Sequence, residues 1–317
     1  MTGLFMQPGC AEQLFRQGLR NFGGFFRYAD GEVIGGHRER NVARVNIGGL
    51  RGYLKREYFV PWKDYVHSWW AGFSFVSQSQ REWQILKALQ ARGIPCPEPL
   101  AVGAQAGKAF LLLRELPDAE DLRSFLAAHP LTRQDRVWLA HLLGKSISDL
   151  HAAGFTHPDL YAKHVFVARD RRSIAFVDYQ RTQKRAHVSW RRRCRDLAAL
   201  NASLGDDVVS PRERWHCLFA YLRHAHQADA AMRGDGCGGP MPRPAWRELV
   251  RSSLRRIERR TRHLLRRRKV RQMRTSDAAG KDALVVEYWR LAFRGLDGAG
   301  AEPASAIAPR DSRGMGR

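Results

Sequence analysis

The sequence predicts an α+β fold in two lobes, with an antiparallel-sheet lobe over residues 25–117 and a mainly helical lobe over residues 118–297. Three observations predict it. Residues 31–60 alternate polar and apolar positions between glycine turns, the period-2 pattern of half-buried strands. After Pro117 the apolar positions recur at helical spacing instead. The boundary between the two patterns, Arg114 to Asp118, is short enough to be a hinge. A chain of 317 residues with 44% apolar content has the material for such a core.

The elements follow in order. Residues 1–24 read as an N-terminal extension holding a short helix, Ala11 to Leu19, and a glycine-containing joint. Three antiparallel strands follow, over Gly31–Gly36, Asn41–Ile47 and Arg51–Val60, with Gly48-Gly49 as a tight connection. Residues 77–92 read as a helix with Trp83, Leu86 and Leu89 or Gln90 on one face. Gly93 can cap it, and Pro95, Pro97 and Pro99 prevent its continuation. Leu100–Gly103 and Ala109–Arg114 are two more strands. In the second lobe, Asp118–Ala128 reads as a short helix with acids in its first turn. Thr132 caps a long helix that runs to Ala153 and stops at Gly154. A loop, Thr156 to His164, leads into strands at Val165–Ala168 and Ile174–Asp178. Helices then continue to about residue 295, and residues 298–317 have the Gly/Ala/Pro/Ser/Arg composition of a disordered tail.

No run of 18 apolar residues occurs, so no membrane-spanning helix is expected. The first 25 residues lack the basic start and apolar segment of a signal peptide, which places the expected compartment in the cytoplasm. Five scattered cysteines with no CxxC pair argue against a disulfide framework or a zinc site. The formal charge is +23, from 54 basic and 31 acidic residues. Base composition alone can enrich arginine, so clustering and not the total decides whether a polyanion is the partner.

Four short pieces carry chemistry by their order. Lys55 lies in the third strand and Glu82 in the helix after it, with Glu57 as the competing carboxylate. His157-Pro158-Asp159-Leu160-Tyr161-Ala162-Lys163-His164 follows the long helix. Val177-Asp178-Tyr179-Gln180-Arg181 ends a strand.

That order resembles the protein-kinase set of strand Lys, helix Glu, H-x-D-L-x-x-x-N loop and metal-binding Asp. In detail it resembles the lipopolysaccharide core kinases of the Kdo/WaaP family. His164 ends the loop where protein kinases carry Asn. Asp178 sits in Val-Asp-Tyr-Gln-Arg and not in Asp-Phe-Gly. The stretch Arg195-Asp196-Leu197-Ala198 matches the family's Lys/Arg-Asp-Leu-Ala segment. The resemblance covers roughly residues 30–270. It implies a protein-kinase-like fold and an ATP- and Mg²⁺-dependent transfer to heptose or Kdo of the inner core. Lys55 and Glu82 would serve ATP, Asp159 the acceptor hydroxyl, and Asp178 and His164 the metal. His164 could instead hydrogen-bond Asp159 or a phosphate, because Mg²⁺ prefers oxygen. Asp196 is expected to brace the catalytic loop, and His151 to be a helix-end histidine without a ligand role. Gly35 and Gly36 either cover the phosphates with backbone N–H groups or form a plain hairpin. The chain has no Ala-Pro-Glu segment after Asp178 and no Arg before Asp159, which points away from a peptide acceptor.

Residues 246–274 read as a strongly basic helix. Arg247 to Arg274 hold 13 Lys/Arg against Glu248 and Glu258, with Val250, Leu254, Ile257, Thr261 and Leu264 on one face. It is a solvated helix in an arginine-rich chain, or a contact for the anionic inner-membrane surface or the glycolipid acceptor. No nucleic-acid motif accompanies it, so no specific nucleic acid is expected as a partner. Two other functions stay open: a protein or small-molecule kinase, and a non-catalytic kinase-like module that binds anionic glycolipid or nucleic acid.

Overall fold

The longest apolar run, Ala109–Leu113, lies in a strand that is covered on both faces, and this organises the first lobe. In a computed structural model, which describes residues 3–232 and 241–275, a six-stranded antiparallel sheet has the order β1-β5-β6-β4-β3-β2. The strands are β1 (Gly3–Met6), β2 (Gly31–His37), β3 (Arg40–Ile47), β4 (Leu50–Glu57), β5 (Pro99–Gln105) and β6 (Lys108–Arg114). Phe110 and Leu112 of β6 point to one face, where they meet Leu14, Leu19, Phe25, Leu54 and Leu100. Leu111 and Leu113 point to the other, against Ile85, Leu86 and Leu89. A strand buried on both sides loses the polar half of its alternation.

The same period places Lys55. Leu54 is buried under the first face, so Lys55 emerges on the second, beside Val42 and Leu111 of the neighbouring strands. The helix on that second face is α4 (Gln78–Gln90), after α1 (Pro8–Arg16), α2 (Phe22–Arg27) and α3 (Trp62–Trp70). Ser77 starts α4 with a capping box, its hydroxyl accepting from the Gln80 N–H while the Gln80 side chain accepts from the Ser77 N–H. Ile85, Leu86 and Leu89 are its buried apolar residues, and Trp83 is only half-buried.

The second lobe contains β7 (Ala119–Asp121), α5 (Leu122–Ala128), α6 (Arg133–Ala152), β8 (Val165–Ala168), β9 (Ile174–Phe176), α7 (Trp190–Ser203), α8 (Pro211–Met232) and α9 (Arg243–Thr275). The expected Thr132 cap is present as a second capping box with Asp135. Helices α6 and α8 pack together, and Gly144 is the point of closest approach. A Cβ there would lie 2.3 Å from the Cys217 carbonyl oxygen. One core runs from the sheet face through α4 into α6, α7 and α8.

The structure differs from the sequence reading in four places. The segment read as an extension to residue 24 contributes β1 to the sheet edge, and Cys10 and Leu14 of α1 to the core. Helices α2 and α3 were not anticipated. The helix expected from Asp118 begins at Leu122, because residues 119–121 pair with β8 and the Asp121 carboxylate accepts the Arg123 and Ser124 N–H groups. The basic helix is longer than expected, Arg243–Thr275. The readings for residues 276–317, including the disordered tail, lie outside the described residues.

Candidate active site

Lys55 and Glu82 meet across the lobe. The Lys55 Nζ donates to both carboxylate oxygens of Glu82, at 2.8 and 2.9 Å. Both are largely withdrawn from water, with Glu82 2% and Lys55 16% exposed. The competing Glu57 is engaged elsewhere. It accepts the Ser79 N–H at the start of α4 (2.6 Å) and pairs with Arg40 (3.5 Å).

The loop after α6 is held by hydrogen bonds on both sides. Gly154 (φ 84°) turns the chain, and a Cβ at this residue would lie 2.4 Å from the Arg185 carbonyl. The buried Asp196 carboxylate accepts the His157 N–H (2.7 Å), the His151 Nε2 (3.3 Å) and the Arg195 Nε (2.9 Å). Burial alone would raise the Asp196 pKa. The His151 hydrogen bond and then the Arg195 charge outweigh it and hold the carboxyl below its ordinary value. His151 is thus buried, with its Nδ1 at 2.9 Å from the Tyr221 hydroxyl, and belongs to this brace. The His157 Nε2 lies 3.0 Å from the Val177 carbonyl, which ties the loop to the segment entering Asp178. Burial lowers the His157 pKa, so this ring is neutral and donates through Nε2.

Asp159 and Asp178 flank His164. The His164 Nδ1 lies 2.7 Å from the Asp159 backbone carbonyl, which can only accept, so Nδ1 carries a proton. The opposite nitrogen, Nε2, faces the Asp178 Oδ2 at 3.6 Å. Asp178 adopts φ 64°, in the left-handed region, and its Oδ1 is buried without a hydrogen-bond partner. A strained carboxylate with an orphaned buried oxygen beside an imidazole fits a cation. Among the described residues no cluster of three or more His, Cys, Asp or Glu side chains forms, so the remaining ligands would have to be phosphate oxygens and water.

A cavity of about 120 Å³ joins the lobes, lined by Gly36, Lys55, Glu82 and Gln180 among others. Arg81 donates to the Gln180 carbonyl, and Arg40 reaches its side-chain oxygen at 3.2 Å. Gly36 therefore sits at the Lys55 cavity, whereas Gly35 faces open space. Both glycines lie within β2, and the turn falls at residues 38–39. A Cβ at Gly36 would be 2.3 Å from the Arg40 carbonyl, so close strand approach already requires this glycine.

One contact had no sequence signal. The exposed Arg181 donates to the Asp159 Oδ1 at 2.9 Å. Arg181 also borders a cleft of about 520 Å³ together with Tyr161 and Lys163 of the loop and Arg260, Arg267 and Arg268 of α9. An adjoining cleft of about 1000 Å³ between α7 and α9 shares Arg195 and Arg260. Among the described residues no carboxylate lines either one.

Comparisons with known proteins give the family of the chain. The sequence model of the lipopolysaccharide kinase (Kdo/WaaP) family matches residues 29–221. A 3-deoxy-D-manno-octulosonic acid kinase of Vibrio vulnificus is 27% identical over 173 residues, 53% of this chain and 66% of that protein. The chain thus spans just under two thirds of that kinase's length. The lipopolysaccharide core heptose(I) kinase WaaP of Pseudomonas aeruginosa is 25% identical over 199 residues, 58% of this chain and 74% of that protein. A second 3-deoxy-D-manno-octulosonic acid kinase, from Vibrio cholerae, is 25% identical over 60% of this chain and 81% of its own length. With its lobes, its Lys55–Glu82 contact and a family match over more than half its length, the chain belongs to the lipopolysaccharide kinase (Kdo/WaaP) family.

Proposed function

We propose that the protein transfers the γ-phosphate of ATP to a sugar hydroxyl, on heptose or Kdo, of the lipopolysaccharide inner core. The observation that carries this reading is the buried Lys55–Glu82 pair facing the same interlobe cleft as Gln180, two residues after Asp178. Glu82 fixes the Lys55 ammonium, which would bind the α- and β-phosphates. Asp159 would accept the proton of the attacking hydroxyl as the new O–P bond forms and the bond to ADP breaks. Its Oδ1 is held by Arg181, which leaves Oδ2 for that proton. Asp178 and the His164 Nε2 would hold Mg²⁺, whose charge neutralises the phosphate oxygens. Gly36 would set its backbone near the phosphates at the Lys55 end of the cleft.

The arginine-lined cleft beside the Asp159 loop and the one adjoining it between α7 and α9 support an anionic acceptor, as a phosphorylated glycolipid is. Among the described residues no helix is long and apolar enough to cross a membrane. A protein acting on this acceptor would work as a peripheral protein at the cytoplasmic face of the inner membrane.

The test offers wild-type and Asp159→Asn protein labelled Mg-ATP with dephosphorylated lipopolysaccharide core or a generic protein. Label in the glycan with wild type alone is expected, with ATP binding kept by the variant. Equal transfer by the variant would refute the role of Asp159. Label in protein alone would favour a protein kinase. No label and no ATP binding would favour a non-catalytic module.

A further inference from the structure

Helix α3 is amphipathic the wrong way round. Its inward side carries Ser68, fully buried, and Asp64, which accepts from the Gln78 side chain at 2.8 Å. Its outward side carries three tryptophans: Trp62 is 78% exposed, Trp69 55% and Trp70 70%. At about 100° per residue, Trp62, Val66 and Trp69 lie within roughly 60° of one another, and Trp70 and Lys63 flank that face. Phe59 before the helix is 58% exposed, and Phe75 after it is 57% exposed. Phe75 stacks on Trp69 with ring centroids 5.9 Å apart. Five large aromatic side chains within 17 residues of sequence thus face solvent together. A globular surface rarely exposes such a patch unless something covers it.

The patch is attached to the candidate site. The Arg185 guanidinium donates to the Trp70 carbonyl (3.0 Å), and the Lys184 N–H donates to the Ala71 carbonyl (2.7 Å). Gly72 makes room for this strand of chain, since a Cβ there would be 2.4 Å from the Lys184 carbonyl. Four residues earlier, Arg181 holds Asp159. That span of chain reaches no more than about 14 Å when fully extended.

We propose that the aromatic face of α3 docks the protein on an anionic lipid bilayer and sets the catalytic cleft against the membrane surface. Indole has an apolar body and a polar N–H, and it settles at the headgroup boundary. Lys63, Lys184 and Arg185 rim the patch and complement anionic headgroups, while Asp64, the one acid in residues 58–76, is turned inward to Gln78. The choice of a bilayer over a protein partner rests in part on the glycolipid acceptor proposed above. In this arrangement the membrane contact is α3, and the arginines of α9 are left to line the clefts beside Asp159.

The test measures cosedimentation of the full chain with vesicles of phosphatidylethanolamine and phosphatidylglycerol (7:3), and with phosphatidylcholine alone. Quenching of tryptophan fluorescence by lipids brominated on their acyl chains reports insertion. The variants are Trp62→Ser/Trp70→Ser, whose side chains are too exposed to hold the fold, and Arg259→Gln/Arg266→Gln on α9. Wild type is expected to bind the anionic vesicles with quenching. The tryptophan variant should lose more than about tenfold in partition coefficient and most of the quenching. It should keep its unfolding midpoint and its transfer rate on a soluble, deacylated core sugar. The α9 variant should bind vesicles within about twofold of wild type. Equal binding by the tryptophan variant would overturn the proposal, as would loss of binding in the α9 variant alone. So would self-association that the tryptophan substitutions abolish while vesicle binding is unchanged. Absence of transfer by wild type on every acceptor would count against the kinase reading and leave the vesicle result standing.

Discussion

Replacing Asp196 by Asn should weaken the fold and the catalytic loop by a calculable amount. The carboxylate is fully buried and accepts from the His157 N–H, the His151 ring and Arg195. The amide keeps the shape and one acceptor oxygen, which can stay on the His157 N–H. His157 and His151 share the Oδ2 position, so that oxygen keeps both, and the amide nitrogen takes the Oδ1 position against the Arg195 guanidinium. Arg195 then faces a donor where it had an acceptor, so the loss is that pairing together with the weakening of the two remaining bonds from charged to neutral, about 1 kcal/mol each. Arg195 is a quarter exposed and its share is partly screened, which brings the total to about 2–3 kcal/mol.

The pH dependence identifies the cause. The folded-state pKa of Asp196 lies below its unfolded value, so the unfolded chain takes up the proton first as pH falls. The stabilisation is complete above about pH 4 and is lost as pH drops through the folded value. Asn has no such titration. The gap between the two proteins should therefore be full at pH 7 and smaller at pH 3. Guanidinium unfolding at both values measures it. Transfer should also fall by roughly ten- to a hundredfold at unchanged ATP affinity, because Asp159 is two residues from the His157 N–H, whose anchor is weakened from a carboxylate to an amide oxygen. A variant within about 0.5 kcal/mol of wild type at pH 7 would refute the reasoning, and so would a gap that does not narrow in acid.

Two further substitutions test how the lobes hold the site. Ser77→Ala removes the cap that starts α4 and should cost about 1 kcal/mol in unfolding free energy. It should also raise the KM for ATP, because Glu82 lies in the second turn of that helix; an unchanged KM would show that the sheet contacts of α4 position Glu82 without the cap. Gly144→Ala should lower the melting temperature despite its better helix propensity. Its Cβ would meet the Cys217 carbonyl and the Tyr221 backbone nitrogen, which yield only if α6 and α8 separate, at about 2 kcal/mol. A stabilised variant in a calorimetric scan would rule out that close approach.

Much of this was legible because it depends on short-range chemistry. The alternation of residues 31–60 gave β2, β3 and β4, the last ending at Glu57 and not at Val60, and the Thr132 cap gave the start of α6. The strand at Val165–Ala168 fell where it was read. The order of Lys55, Glu82, Asp159 and Asp178 could be read because it resembles the kinase set, and the fold brings Lys55 to Glu82 and Asp178 to His164. What failed depends on distant partners. Strand β1 exists through its pairing with β5, nearly one hundred residues away, and four residues after a chain start give no period to count. Helix α3 has polar residues inward and tryptophans outward, so a search for an apolar inner face passes over it. Glu82 is the partner read for Lys55 from the order of the motifs, with Glu57 as its competitor, and only the register and α4 place Glu57 under the N-terminus of α4 and Glu82 against the ammonium. Arg181 is an ordinary exposed arginine in sequence, and only the folded loop brings it to Asp159.

The two surface anomalies are easier to explain together than apart. A soluble sugar phosphate would be held by the arginine clefts and would give no reason for three exposed tryptophans. A bilayer without a phosphorylated acceptor would suit the tryptophans and leave the arginine-lined cleft at the Asp159 loop, and the cleft adjoining it, without a ligand. A phosphorylated glycolipid still seated in its membrane requires both. Its headgroup carries the charge that arginine recognises, and its surroundings supply the interface at which indole is stable. The tie from Trp70 through Arg185 back to Arg181 keeps the two surfaces at a fixed distance from Asp159. That coupling would let membrane contact define which hydroxyl of a membrane-bound glycan arrives at the carboxylate.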